Sequence, residues 1–138
     1  MRSVLSTPPV LILVCGSPDR GDDGAAVAVA DRLPAEARAL ADVRIVGGLD
    51  VIHLLDLDPG QAVVIVDAAV GVAPGEIVVL PLEGLGRGGP SPASSHALPI
   101  DQVLGVAAAL RGRLPEGAFV GIGGSSFAPG APLSPAVR

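Results

Sequence analysis

Four carboxylates and one imidazole are the side chains of this sequence best placed to act together in chemistry. They are Asp19, Asp22, Asp23, Asp67 and His96. Three of the carboxylates follow the apolar run 10–15, and the fourth directly follows the apolar run 62–66. Because ligands bind at the carboxyl ends of strands in open parallel sheets, we expect these groups to converge at one edge of a sheet.

The loop at residues 16–24 is rich in glycine and leads into a helical segment, an arrangement that often binds phosphate. It has neither the lysine of a P-loop nor the G-x-G-x-x-G spacing. Asp19, Asp22 and Asp23 would repel an anion, with only Arg20 to balance them. A helix N-terminus favours ionised carboxylates. The loop therefore predicts a site for a cation.

Asp23, Asp67 and His96 form a candidate set of two oxygen ligands and one nitrogen ligand. Such mixed sets suit zinc, nickel or iron better than calcium. The three residues lie far apart in the sequence, so spacing alone leaves simpler interpretations open. Asp22 or Asp23 could be a helix cap, Asp67 a turn former, and His96 a surface loop residue.

Other reactive side chains are weaker candidates. Cys15 ends an apolar run, where a free cysteine acts as a small hydrophobe. His53 is expected to be exposed on a short helix. Ser125 and Ser126 could line the site, but no Gly-x-Ser-x-Gly elbow is present.

Alternating strands and helices must position these groups. Predicted strands cover residues 10–15, 43–46, 62–66 and 118–122, and predicted helices run from Asp22 or Asp23 to about Leu33, from Val51 to Leu55 and from Ile100 to Arg111. The first and third strands are apolar throughout, as expected of strands covered on both faces. The order predicts an α/β fold in three layers, a mostly parallel sheet with helices on both faces.

Two segments depart from this alternation. Only residues 68–76 separate the apolar run 77–80 from the preceding strand, too few for a helical crossover, so the run should form an antiparallel edge strand. Residues 83–95 should form a loop. Leu133-Ser134-Pro135-Ala136 is typical of the capped start of a helix, and we expect a final helix to be missing after Arg138.

Composition excludes several classes of function. The 138 residues carry nine positive charges, all arginine, against 14 acidic ones, for a net charge of -5, which disfavours binding to nucleic acid and to anionic membranes. Lysine is absent, so Schiff-base and P-loop chemistry are excluded, and the single cysteine excludes an internal disulfide. No apolar run approaches the ~20 residues of a membrane span. We expect a single domain, residues 1–138, in the cytoplasm.

At these motifs the chain resembles the hydrogenase maturation proteases, over about Val10 to Arg138. That family has a Gly-Asn-x-Leu-x-x-Asp-Asp/Glu-x-x-Gly-like segment after its first strand, and here the place is taken by Gly16-Ser17-Pro18-Asp19-Arg20-Gly21-Asp22-Asp23-Gly24. The Asp that ends the family's third strand matches Asp67. The histidine of its Ser-x-His-like loop matches His96 in Ser94-Ser95-His96.

The resemblance implies an endopeptidase that trims the C-terminus of a nickel-loaded hydrogenase large-subunit precursor. Asp23, Asp67 and His96 would be both the catalytic and the metal-recognising residues, with nickel supplied by the substrate and zinc or another divalent ion as the alternative. The precursor is the implied partner, and the protein is expected to be a monomer or weak homodimer. Ser17, Asp19 and Leu49 depart from the family's usual residues.

Two other functions fit parts of the pattern. A receiver-like signalling domain also has an acidic pair after its first strand and an Asp after its third, but it needs a lysine that this chain lacks. A non-catalytic scaffold that binds a hydrogenase-like partner is the other alternative.

Overall fold

A six-stranded sheet forms the centre of the molecule. The computed structural model describes residues 9–16, 21–58, 60–70, 72–83, 93–94, 100–124, 133 and 135. The strands are β1 (Val10–Cys15), β2 (Ala41–Gly47), β3 (Val63–Val70), β4 (Ile77–Pro81), β5 (Ala93–Ser94) and β6 (Gly117–Gly123). The helices are α1 (Ala25–Asp31), α2 (Ala35–Leu40), α3 (Ile52–Leu55) and α4 (Ile100–Arg111), and a 3-10 turn, Gly21–Gly24, precedes α1.

The strand order is β2-β1-β3-β6-β4, with β5 paired to β3. Strands β2, β1, β3 and β6 are mutually parallel. Strand β4 runs antiparallel to β6 at the edge. The predicted parallel sheet with one antiparallel edge strand is therefore confirmed. The four parallel strands place their carboxyl ends at one edge, as the site requires.

Apolar side chains fill the space between the sheet and the helices on both of its faces. On one face Leu13, Ile65 and Phe119 pack with Leu54 of α3 and Leu104 of α4. On the other face, side chains of β1 pack with α1, through the buried residues Val14, Ala26 and Ala30. The alternation of side chains along each strand sends neighbouring residues to opposite layers. The predicted three-layer arrangement is confirmed.

Helix α1 is shorter than predicted, and α2 was not predicted. Pro34 has an extended backbone, with φ -67° and ψ 157°, and it marks the start of α2. A proline disfavours helical geometry in the residue before it, which ends the first helix before Leu33. The Arg38 guanidinium donates a hydrogen bond to the Ala30 carbonyl near the end of α1. None of the residues of α2 is buried, so the helix leaves no apolar periodicity in the sequence.

The remaining differences lie at the ends of elements. Strand β3 continues to Val70, and the two-residue strand β5 lies within the segment predicted to be a loop. Of the segment 133–136, only Leu133 and Pro135 are among the described residues, so the missing final helix stays a prediction. Among the helices described, none is long and apolar enough to cross a membrane.

Two glycines give a test of the packing around β3. Gly117 has φ +145°, and a Cβ there would collide with the main-chain oxygen of Val63 in the neighbouring strand. Gly105 lies in α4, where an added Cβ meets nothing within 4 Å. We expect Gly117→Ala to lower the free energy of unfolding by about 2 kcal/mol or more. Gly105→Ala should raise it by about 0.5–1 kcal/mol, because alanine favours a helix.

Urea denaturation, monitored by circular dichroism, measures both changes in the free energy of unfolding. Equal midpoints for Gly117→Ala and the unsubstituted protein would contradict the close approach of β6 to β3.

Candidate active site

Asp67 lies where the sheet changes its width. The pairing of β1 with β3 ends at Val14 and Val66, whereas β3 continues beside β6, with Asp67 opposite Gly121. Asp67 is therefore the first residue of β3 past the end of its pairing with β1, although β3 itself extends to Val70. Asp67 therefore lies towards the carboxyl edge of the sheet, as expected, but inside β3 rather than after it.

The carboxylate of Asp67 is fully enclosed, since only 1% of the residue is exposed. One of its oxygens, Oδ1, accepts a hydrogen bond from the backbone N–H of Ala68 at 2.8 Å. Because a buried carboxylate is costly unless its oxygens are bonded, this contact both stabilises the group and orients it. Asp67 is thus a positioned carboxylate within the sheet, and the interpretation as a simple turn former is wrong.

Asp22 is a second buried carboxylate near the same edge. It lies in the 3-10 turn, which packs against β3 and α1, and it is 0% exposed. The N-cap residue of α1 is Gly24, which has no side chain to cap with, so the predicted N-cap role of Asp22 or Asp23 is wrong. The sequence had indicated a chemical role for Asp23, and the burial of Asp22 was not predicted. Nothing in the run Gly-Asp-Asp-Gly indicates which carboxylate is enclosed.

Glycines shape the entry to this loop. The backbone N–H of Gly16, directly after β1, donates to the carbonyl of Gly47 at the end of β2, at 2.7 Å. Gly16 has φ 122°, a conformation that side-chain-bearing residues rarely adopt. This hydrogen bond therefore ties together the carboxyl ends of β1 and β2.

The side chains of two of the three predicted ligands, Asp23 and His96, lie outside the described part of the structure. The backbone of Asp23 lies in the 3-10 turn, but its side chain is outside the described part of the structure, as is the whole of His96. Within the described residues, no group of three His, Cys, Asp or Glu side chains is close enough to hold a metal ion. The set of Asp23, Asp67 and His96 therefore stays a prediction.

One described pairing bears on the loop that carries the histidine. Ser94, two residues before His96 in the sequence, pairs with Ala69, two residues after Asp67. Strand β5 thus attaches the segment that precedes the histidine to the extension of β3 beyond Asp67. His96 lies only two residues beyond Ser94 along the chain, so the length of this link limits the distance between His96 and Asp67.

The weaker candidates have structural roles where they are described. Cys15 is 0% exposed and packs within the core, as predicted. His53 is half-buried rather than exposed, and its Nδ1 accepts a hydrogen bond from the backbone N–H of Asp50 at 2.9 Å. That contact caps the start of α3. Ser125 and Ser126 lie outside the described residues.

Solved structures share this fold over nearly the whole chain. The NiFe hydrogenase maturation protease HybD from Thermococcus kodakarensis is 29% identical with a TM-score of 0.69, over 94% of this chain and 89% of that chain. The hydrogenase maturating endopeptidase HybD from Escherichia coli is 24% identical with a TM-score of 0.72, over 94% and 83%. The endopeptidase HycI from Escherichia coli is 22% identical with a TM-score of 0.69, over 94% and 82%.

The last two similarities establish the fold, and the first adds similarity of sequence. No family sequence model and no curated protein sequence matches the chain. The motifs at the strand ends indicated a resemblance to the hydrogenase maturation proteases, and these structures confirm it. The predicted class of enzyme, a peptide hydrolase, is confirmed with it.

Proposed function

We propose that this chain is an endopeptidase that removes a C-terminal peptide from a nickel-loaded hydrogenase large-subunit precursor in the cytoplasm. The observation that carries the proposal is the buried Asp67 at the carboxyl edge of a fold shared with named maturation proteases. Parallel α/β sheets bind their ligands at this edge. The motif after β1 and the serine–histidine segment after β5 follow the same chain order as in the family.

Asp23, Asp67 and His96 are proposed to recognise the nickel that the precursor already carries. Two carboxylates and an imidazole are a donor set suited to a borderline divalent ion. Asp67 supports the proposal because it is enclosed and held by the Ala68 N–H, so that its geometry is fixed before the substrate arrives. The pairing of Ser94 with Ala69 supports it from the histidine side.

This form of recognition makes cleavage conditional on metal insertion. A precursor without nickel gives the three side chains nothing to bind, so its scissile bond is not held at the site. With nickel present, the substrate's ion can polarise a carbonyl or activate water for attack on the peptide bond. Hydrolysis then leaves a new carboxyl terminus on the large subunit and a new amino terminus on the released peptide. The sequence contains no H-E-x-x-H segment, so a conventional zinc protease site is not proposed.

The receiver-like alternative is disfavoured by the sheet. Receiver-type sheets have five parallel strands in the order 2-1-3-4-5. Here β4 is antiparallel and lies outside β6 at the edge. The scaffold alternative differs from the proposal only in catalysis, so measuring whether the precursor is shortened separates the two.

The first test compares nickel-loaded and nickel-free precursor by intact mass. We expect the unsubstituted protein to shorten only the loaded form. Asp67→Asn, Asp23→Asn and His96→Ala should each reduce the rate by about a hundredfold or more, because each removes a group that contacts the substrate's metal. Asp31→Asn is the matched control, since Asp31 is exposed at the end of α1, and it should leave the rate unchanged.

Three outcomes would count against this assignment. Processing that survives the three substitutions would overturn the site. Equal cleavage of loaded and nickel-free precursor would overturn the metal-dependent recognition. Binding of the precursor without any shortening would favour the scaffold.

The second test asks where the metal comes from. We expect protein that has been treated with a chelator, and then freed of it, to process loaded precursor at the untreated rate, because the nickel belongs to the substrate. Titration calorimetry with nickel or zinc should show binding to the free protein that Asp67→Asn weakens by about tenfold. Loss of activity after chelation, restored by added zinc, would instead show a resident metal.

A further inference from the structure

Strand β4 is an uncharged edge strand. Its sequence is Ile-Val-Val-Leu-Pro, and it closes one side of the described sheet. Ile77 is 65% exposed and Val79 is 63% exposed. Edge strands are normally protected by charged side chains, since a free edge can pair with another chain. An apolar edge without charge is therefore suited to the addition of a further strand.

The backbone of β4 has a defined outward pattern. The N–H of Gly123 donates to the carbonyl of Glu76 at 2.8 Å. In an antiparallel pair such bonded positions recur at every second residue, so Val78 and Leu80 are bonded to β6. Ile77 and Val79 then direct their N–H and C=O groups to the outer edge of β4, where no strand of the described part of the chain pairs with them; this side is called the free edge.

Pro81 agrees with this pattern. It is the next residue of the outward set, where a missing N–H costs the ladder with β6 nothing. The free edge therefore offers two outward N–H groups and three outward carbonyls to a partner strand.

The direction of β4 decides where such a partner strand would lead. Ile77 is opposite Ile122 and Pro81 is opposite Ala118, so β4 runs away from the carboxyl edge of the sheet. A chain paired antiparallel to β4 would run parallel to β6 and emerge at the edge that carries Asp67. That carboxylate is three strand spacings from the added strand, or about 14 Å, which about four or five extended residues can span.

We propose that the free edge of β4 binds the segment of the precursor just upstream of the cleaved bond, as an added antiparallel strand. The inference rests on the proposed function. The added strand would run towards the edge that carries Asp67, and this direction matters only if the substrate chain is cut at that edge. Main-chain hydrogen bonds would supply affinity, and apolar side chains facing Ile77 and Val79 would supply preference.

Charge also favours a substrate segment over a second copy of the chain. Two copies paired about a two-fold axis at Val79 would bring Glu76 of each close to Glu83 of the other, between molecules with a net charge of -5. Beyond Pro81 lies a cavity of about 470 Å³, lined by Pro81, Glu83, Leu114, Pro115, Glu116 and Gly117. Glu116 is exposed there, and its carboxylate suits a basic side chain at the amino-terminal end of the bound segment.

The test uses Val79→Pro, which removes an outward N–H and leaves the bonds to β6 in place. We expect it to raise the KM for loaded precursor by about tenfold with kcat unchanged within about twofold, because it removes binding without touching the site. Val79→Ile keeps the N–H and a branched apolar side chain, and its KM should stay within about twofold. Circular dichroism melting confirms that both variants are folded.

Hydrogen exchange gives a second measurement that needs no substitution in β4. On addition of loaded precursor at a saturating concentration to the Asp67→Asn protein, which should cut it only slowly, the amides of Ile77 and Val79 should exchange more slowly. Unchanged KM in folded Val79→Pro, or unchanged exchange at both amides, would overturn the inference. A dimer that Val79→Pro converts to monomer would also overturn it, in favour of a second copy at this edge. Failure of the unsubstituted protein to cut loaded precursor would instead overturn the proposed function.

Discussion

The unequal lengths of β1 and β3 are the constraint on which the candidate site depends. Strand β3 passes the last residue that pairs with β1 and continues beside β6 and β5. Its backbone is therefore fixed by neighbouring strands beyond the last residue that pairs with β1. Asp67 lies at this step and is buried, and β3 packs against the 3-10 turn that contains the buried Asp22. An equal pair of strands would leave the carboxylate either between strands or in a loop, and neither arrangement gives a fixed group at the rim of the sheet.

The sequence predicted those parts of the fold that follow from local pattern. The apolar runs of β1 and β3 have no polar face, which is the consequence of helices on both sides. The short separation before β4 allows only an antiparallel return, and so its place at an edge was predictable as well. Helix α2 was not predictable because all its side chains are at least partly exposed, which leaves no apolar periodicity. It begins directly after Pro34, a residue that is also typical of loops.

The site was predictable in position but not in detail. Asp67 follows an apolar run, so its place near a strand end could be inferred. The extension of β3 to Val70 depends on pairing with β5, in which Ala69 lies opposite Ser94 and Val70 opposite Ala93. The choice between Asp22 and Asp23 depends on the backbone of the 3-10 turn. Adjacent side chains in such a turn face different ways, and no hydrophobic pattern records which of them is enclosed.

The acidic, lysine-free composition has different consequences at different parts of the sheet. At the carboxyl edge, negative side chains suit a substrate that carries a metal cation. Along β4 there is no charge, and the backbone itself is the feature that a second chain can bind. In the proposed reaction these are two separate requirements, since a maturation protease must detect an ion held in a folded precursor and also hold an extended tail. An antiparallel edge strand would meet the second requirement without competing for the first, because it would direct the tail to the edge proposed to recognise the metal, from the side of the sheet opposite to β2.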